Sequence, residues 1–168
     1  MIYKIKRAVL ALLFFLAMPV LAGIPVIVPD IKAQDVDGKA LNVNQYIGKG
    51  KWTAVVFWAH NCPICNREIQ QMTFFQDAHE DKDATVLGVS MDGFSQADKS
   101  RAFIERHELN FPNIMIQADQ AEFMKFGGGR FVGTPTFYLY NPEGKLLATT
   151  VGAVSADKIE AFINKNKI

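Results

Sequence analysis

The chain has 168 residues, with 18 lysines and arginines against 17 aspartates and glutamates, 49% hydrophobic residues and 21% charged ones. That length suits one domain with a sizeable core and is too short for two comfortable ones. The near-balance of charge, without a basic run interleaved with aromatics, argues against nucleic acid as a partner.

The N-terminus departs from a soluble composition. Lys4, Lys6 and Arg7 precede an uncharged run centred on Leu10, Leu12, Leu13, Phe14, Phe15 and Leu16, Pro19 breaks it, and Val20-Leu21-Ala22 supplies small residues where a signal peptidase reads. These are the three parts of a secretory signal peptide cut after Ala22. The competing reading is an uncleaved membrane anchor, since the uncharged run extends to Pro29, but Pro19, Gly23, Pro25 and Pro29 interrupt it. No cysteine lies near Ala22 to carry a lipid. Removing residues 1–22 leaves 15 basic against 17 acidic side chains, a net charge of −2, and residues 23–168 are expected to form a single domain.

Residues 23–34 read as extended, and Asp35 to Lys39 as a turn around Asp37-Gly38. Leu41, Val43 and Tyr46-Ile47 lead to a second turn at Gly48 to Lys51. An apolar, β-branched run then predicts a buried strand over 52–58. A helix follows from Pro63 to His79, with Ile64, Ile69, Met72, Phe74 and Phe75 as its apolar positions and Pro63 in its first turn. Thr85 to Ser90 is a second buried strand, closed by Asp92-Gly93. Ser95 is placed to cap a helix to His107 with Ala97, Phe103 and Ile104 inward. Asn113 to Gln117 is a short strand. Asp119 is placed to cap a helix through Phe126 that stops at Gly127-Gly128-Gly129. Thr136 to Tyr140 and Lys145 to Val151 flank the Asn141-Pro142-Glu143-Gly144 turn as a hairpin, and Ser155 caps a last helix to Asn164. Strands alternating with helices imply an α/β fold with a parallel core, helices on both faces and a terminal antiparallel hairpin plus helix.

Both cysteines fall in Trp58-Ala59-His60-Asn61-Cys62-Pro63-Ile64-Cys65, where the 52–58 strand hands over to a helix. A bridge closing so small a loop constrains the unfolded chain little, so a working pair is a better reading than a structural staple. A thiolate is the attacking species, and a helix N-terminus favours an anion through its unpaired N–H groups. Cys62 stands there, with the N–H groups of Ile64 and Cys65 as the nearest donors because Pro63 has none. This makes Cys62 the attacking sulfur and Cys65, one turn in and more buried, the resolving one. The Pro-Ile pair adds no charge, which favours a reducing or mid-range potential. A zinc site wants four ligands, and only the scattered His60, His79 and His107 remain; no metal and no cofactor are expected.

The Val55 to Cys65 phrase resembles the active-site strand and helix of thioredoxin-like proteins. Val89-Ser90-Met91-Asp92-Gly93, Phe111-Pro112, Gly133-Thr134-Pro135-Thr136-Phe137 and Asn141 to Lys145 are similar to the exported TlpA/ResA-like branch of that superfamily, over roughly residues 26–166. The resemblance implies a thioredoxin-like fold with a central mixed sheet. It also implies a cis-proline at Pro135 beside the sulfurs, with the Thr134 backbone free to pair with an extended substrate. Glu68, three residues after Cys65, matches a glutamate of the branch and would relay a proton to Cys65; a solvated residue pairing with Arg67 or Gln71 is the plain alternative. Val56 stands where many thioredoxins carry a buried aspartate. Trp58, Pro63 and Ile64 are expected around the substrate site, although Trp58 serves equally well as core. His60 reads as a rim residue, with electrostatic tuning of Cys62 as its other possible role. Gly127 to Arg130 follows a helix rather than opening one, so it is a helix stop and not a phosphate loop.

The expected function is therefore extracytoplasmic, bacterial and periplasmic thiol–disulfide exchange with protein substrates. The resemblance implies a reductase or isomerase role, with apocytochrome c among the candidate substrates and a membrane-bound electron donor of the DsbD/CcdA type. Two rivals are weaker. A thiol peroxidase would want a proline between Thr53 and Asn61, where none occurs. A copper metallochaperone of the Sco type would want three residues between the cysteines and a histidine beyond His107.

Overall fold

The computed structural model describes residues 28–167; the leader at residues 1–22, read above as signal peptide or anchor, lies outside the described residues. Within them, no helix is long and apolar enough to cross a membrane.

The organising element is strand β3 (Trp52–Trp58), buried at every position. Its alternation divides the core. Trp52, Ala54, Val56 and Trp58 join one apolar cluster, while Val55 and Phe57 join the other, as a two-residue period requires. β3 pairs in parallel with β4 (Ala84–Ser90), and β4 in parallel with β5 (Asn113–Met115). On its other side β3 pairs antiparallel with β6 (Thr136–Tyr140), which forms the expected hairpin with β7 (Leu146–Val151). The sheet is completed by β1 (Lys32–Gln34) and β2 (Ala40–Asn42), giving the order β2-β1-β5-β4-β3-β6-β7. The mixed sheet and its C-terminal hairpin are as the sequence predicted.

The β1–β2 hairpin is an addition to that reading. The turn between its strands was legible: Asp35 Oδ1 accepts from the N–H groups of Asp37 and Lys39, each at 2.9 Å. The strands are three residues each, too short to display a period, and β1 is held mainly by backbone pairing to β2 and β5.

Helices α1 (Pro63–Glu68) and α2 (Gln70–His79) form the predicted 63–79 segment, with the ladder tightening at Ile69. Ile69 N–H still reaches Cys65 O at 3.0 Å, but Met72 N–H bonds back only three residues, to Ile69 O at 2.9 Å. Ile69, Met72 and Phe75 are buried as expected, whereas Ile64 and Phe74 are exposed, because five apolar positions over this length cannot all share one face. Helix α3 (Ala97–Arg106) begins one residue later than predicted, with Gln96 rather than Ser95 at its N-cap. Ser95 lies in a 3₁₀ turn, Phe94–Gln96, and caps nothing. Its inward side includes the buried Ser100 beside Phe103.

Helix α4 (Gln120–Met124) is capped as predicted by Asp119, whose Oδ1 accepts from Glu122 N–H at 2.8 Å. It ends early because Phe126 and Gly127 bond three residues back. Gly127 then takes the left-handed conformation of a helix stop (φ 88°). Helix α5 (Ala156–Asn166) has Ser155 at its N-cap, though the side chain makes no capping bond. Residues of α1, α2, α3 and α5 share the cluster on one face of the sheet, and α4 contributes Phe123 to the other.

Candidate active site

The chain leaves β3 through a turn closed by Cys62 N–H to Ala59 O at 3.1 Å. Cys62 is the N-cap of α1, with extended backbone and Pro63 at the first helical position. Its Sγ accepts the Cys65 N–H at 3.0 Å. The Ile64 N–H makes no such bond, so one donor rather than the expected two addresses the sulfur. Cys62 and Cys65 are joined as a disulfide. Cys62 is 7% exposed and Cys65 1%.

Across from the pair, the Thr134–Pro135 peptide is cis, and the Thr134 carbonyl oxygen lies 3.4 Å from Cys62 Sγ. That loop is held on both sides: Gly152 N–H donates to Pro135 O at 2.8 Å, and Thr136 Oγ1 donates to Gly133 O at 2.6 Å. Pro63 and Ile64 are exposed beside Cys62, and Val132 is exposed on the approach to the cis-proline. Trp58 is fully buried. Its ring stacks on Phe103 with centroids 4.4 Å apart, and its Nε1–H donates to Asn113 Oδ1 at 3.1 Å. Trp58 therefore supports the site from the core and offers no surface to a substrate here.

Glu68 is half-buried at the end of α1. Among the described residues no hydrogen bond or ion pair reaches its carboxylate, so the pairing with Arg67 or Gln71 considered above does not form. Val56 sits in the apolar cluster with both cysteines.

The sequence reading missed a polar frame behind the cysteines. Asp92, two residues past the end of β4, has a side chain only 4% exposed. Its Oδ1 lies 2.8 Å from His60 Nδ1. Its Oδ2 accepts from the His60 backbone N–H at 3.1 Å and from Ser90 Oγ and Ser100 Oγ at 3.0 Å each. Asn66, on α1, donates from Nδ2 to His60 O at 3.1 Å and to Cys62 O at 2.9 Å. Its Oδ1 is then the acceptor for His107 Nε2 at 3.0 Å. Burial and the neighbouring Arg106 push the His107 imidazole below its ordinary value. His60 and His107 thus meet at one amide, while His79 pairs elsewhere, with Asp83 and Glu160. Among the described residues no group of three His, Cys, Asp or Glu side chains is arranged to hold a metal. The available signal for the frame was Ser90 and Asp92, polar side chains at and just past the end of a mostly apolar strand.

Comparison with known proteins agrees with this geometry. The AhpC/TSA family profile matches residues 25–149. The chain is 28% identical over 115 residues to sporulation thiol-disulfide oxidoreductase A of Bacillus subtilis, covering 68% of this chain and 67% of that protein. It is 24% identical over 137 residues to the thiol-disulfide oxidoreductase ResA of Bacillus thuringiensis, covering 82% and 75%. The crystal structure of the thioredoxin domain of a thiol-disulfide oxidoreductase from Bacteroides vulgatus superposes with a TM-score of 0.67 at 26% identity, covering 83% of this chain and 97% of that one. A profile that spans most of the chain, over a fold and a cysteine pair that agree with it, means that the chain belongs to the AhpC/TSA family and is a thioredoxin-like thiol–disulfide oxidoreductase.

Proposed function

We propose that the protein is an exported reductase of protein disulfides. Its dithiol form attacks through Cys62, a mixed disulfide joins Cys62 to the substrate, and Cys65 displaces it, leaving the oxidised pair and a reduced substrate. One observation carries this division of labour: the Cys62 sulfur lies at the N-cap of α1, with Cys65 N–H donating to it at 3.0 Å, and Cys65 is the more deeply buried of the two. Among the described residues one hydrogen-bond donor, itself neutral, reaches the Cys62 sulfur, which supports a reducing or mid-range couple.

The Thr134 backbone beside cis-Pro135 serves as the strand-like edge for an extended substrate, with Pro63 and Ile64 on the apolar rim and Trp58 holding the floor. Glu68 exchanges the Cys65 proton with solvent when the mixed disulfide resolves. The composition of residues 1–22 supports export to the periplasm ahead of a single domain at 23–168. A protein working in that oxidising space must be recharged, and a membrane-bound dithiol donor of the DsbD/CcdA type is the proposed source. Apocytochrome c is the proposed client class, alongside wrongly paired exported proteins.

The test is Cys65→Ser in the exporting cell. It traps client proteins as mixed disulfides through Cys62, and Cys62→Ser traps none. Absence of trapped species while the Cys62 thiol remains reactive to alkylation would refute the proposal.

A further inference from the structure

His60 stands two residues before Cys62 on the turn that delivers the attacking sulfur. Both its backbone N–H and its ring Nδ1 are held by one carboxylate, Asp92. An ionised carboxylate only accepts hydrogen bonds, so Nδ1 carries a proton. That leaves Nε2 as the atom that gains or loses one, and the side chain is 27% exposed. The backbone is fixed as tightly as the ring. Asn66 Nδ2 bridges His60 O and Cys62 O, and Cys62 N–H closes the turn on Ala59 O. Ring and sulfur therefore belong to one rigid unit, with Ser90 and Ser100 securing the far side of Asp92.

We propose that His60, locked by Asp92 with Nε2 free, is the acid–base group for the Cys62 half of the reaction. The proposal rests on Cys62 being the attacking sulfur. The Cys62 thiol gives its proton to His60 Nε2 through solvent, leaving a Cys62 thiolate and a His60 imidazolium on the same turn. The thiolate forms a bond to one sulfur of the client disulfide as that disulfide breaks. Its electron pair leaves on the second client sulfur, which takes the proton from Nε2. Cys65 gives up its proton and attacks Cys62, and the bond to the first client sulfur breaks; that sulfur leaves with the electron pair and takes up a proton from solvent, so the two electrons and two protons of the dithiol reduce the client and His60 returns neutral. Asp92 is a positioning residue here. Besides Asp92 from the loop after β4, the titratable groups on the neighbouring elements are His107 at the C-terminal end of α3, linked through Asn66, and Arg67 and Glu68 on α1; of these only Asp92 pairs with the imidazole.

The test uses His60→Asn, whose Nδ2–H can still donate to Asp92 but which has no counterpart of Nε2. In the reduced protein, Cys62 thiolate absorbance is followed against pH, and the rate of reduction of a disulfide-bonded peptide is measured from pH 5.5 to 8.5. The expected result is an upward shift of the thiolate titration, with attack slowed about tenfold at pH 6 and little changed at pH 8.5. His60→Arg restores the thiolate titration. Imidazole nitrogen NMR of the wild-type protein shows the neutral ring protonated at Nδ1, and Asp92→Asn loses that preference. An unchanged titration and rate profile in His60→Asn, or a wild-type ring protonated at Nε2, would overturn the proposal. Trapping by Cys65→Ser separates the two failures: if it traps clients and His60→Asn with Cys65→Ser traps them equally fast at pH 6, this inference alone is wrong.

Discussion

Gly88 lies on β4 directly opposite Val56 and Asn113, and it decides whether the floor of the redox site can close. A Cβ added there would meet Asn113 Oδ1 at 2.0 Å, Asn113 Cγ at 2.8 Å and Phe111 Cε2 at 3.1 Å. Asn113 Oδ1 is the acceptor for the fully buried Trp58 Nε1–H, so Gly88→Ala must displace the amide and leave the indole without a partner. An orphaned buried donor costs roughly 1–3 kcal/mol, and overpacking a filled core costs roughly 1–3 kcal/mol more. The expected destabilisation is therefore about 2–6 kcal/mol, read from urea unfolding followed by tryptophan fluorescence. Asn113→Ala alone loses the acceptor without the clash and should cost about 2 kcal/mol. The two changes are strongly non-additive: the double variant should lie near Asn113→Ala, because removing the amide makes room for the methyl group. A Gly88→Ala protein within about 1 kcal/mol of the parent, or simple additivity, would refute the idea that this glycine exists to admit the Asn113 amide.

Asn66→Ala removes two bonds to the turn carbonyls and the His107 partner; about 2 kcal/mol of stability should be lost, with faster exchange at the Cys62 amide by hydrogen-exchange NMR. Asp119→Ala removes the side-chain cap of α4 and should cost about 1 kcal/mol in urea unfolding. Hydrogen bonds from Lys167 and His79 hold the Asp83 carboxyl below its ordinary value of 3.8. Its contribution is therefore present above that value and lost as pH falls below it. Because these groups are partly exposed, the effect is under about 1 kcal/mol, and the stability gap between parent and Asp83→Asn should close in acid.

The strands and the redox pair were legible because their signals are local. β3, β4 and β6 are dense in apolar and β-branched residues, and the Cys-Pro-Ile-Cys phrase names its own place at a helix start. Thr134-Pro135 was legible only through resemblance, since nothing in those residues distinguishes a cis from a trans bond. The polar frame was not legible. Asp92, Asn66, His107 and Asn113 are unremarkable side chains until the parallel crossovers bring β4, α1, α3 and β5 together behind the cysteines. His60 read as rim because a lone histidine beside a motif says nothing of the carboxylate that holds it. Ile64 and Phe74 were counted among the apolar positions of the 63–79 helix, but five such residues cannot share one face and these two turn outward.

The direction of electron flow is the claim on which the rest depends, and the reduction potential of the Cys62–Cys65 couple tests it most directly. Equilibration of the purified protein against defined thiol–disulfide buffers, with the two states separated after alkylation, should give a value near that of thioredoxin, about −270 mV. A value near that of DsbA, about −120 mV, would mean that the oxidised pair is the donor form, and would contradict a reductase.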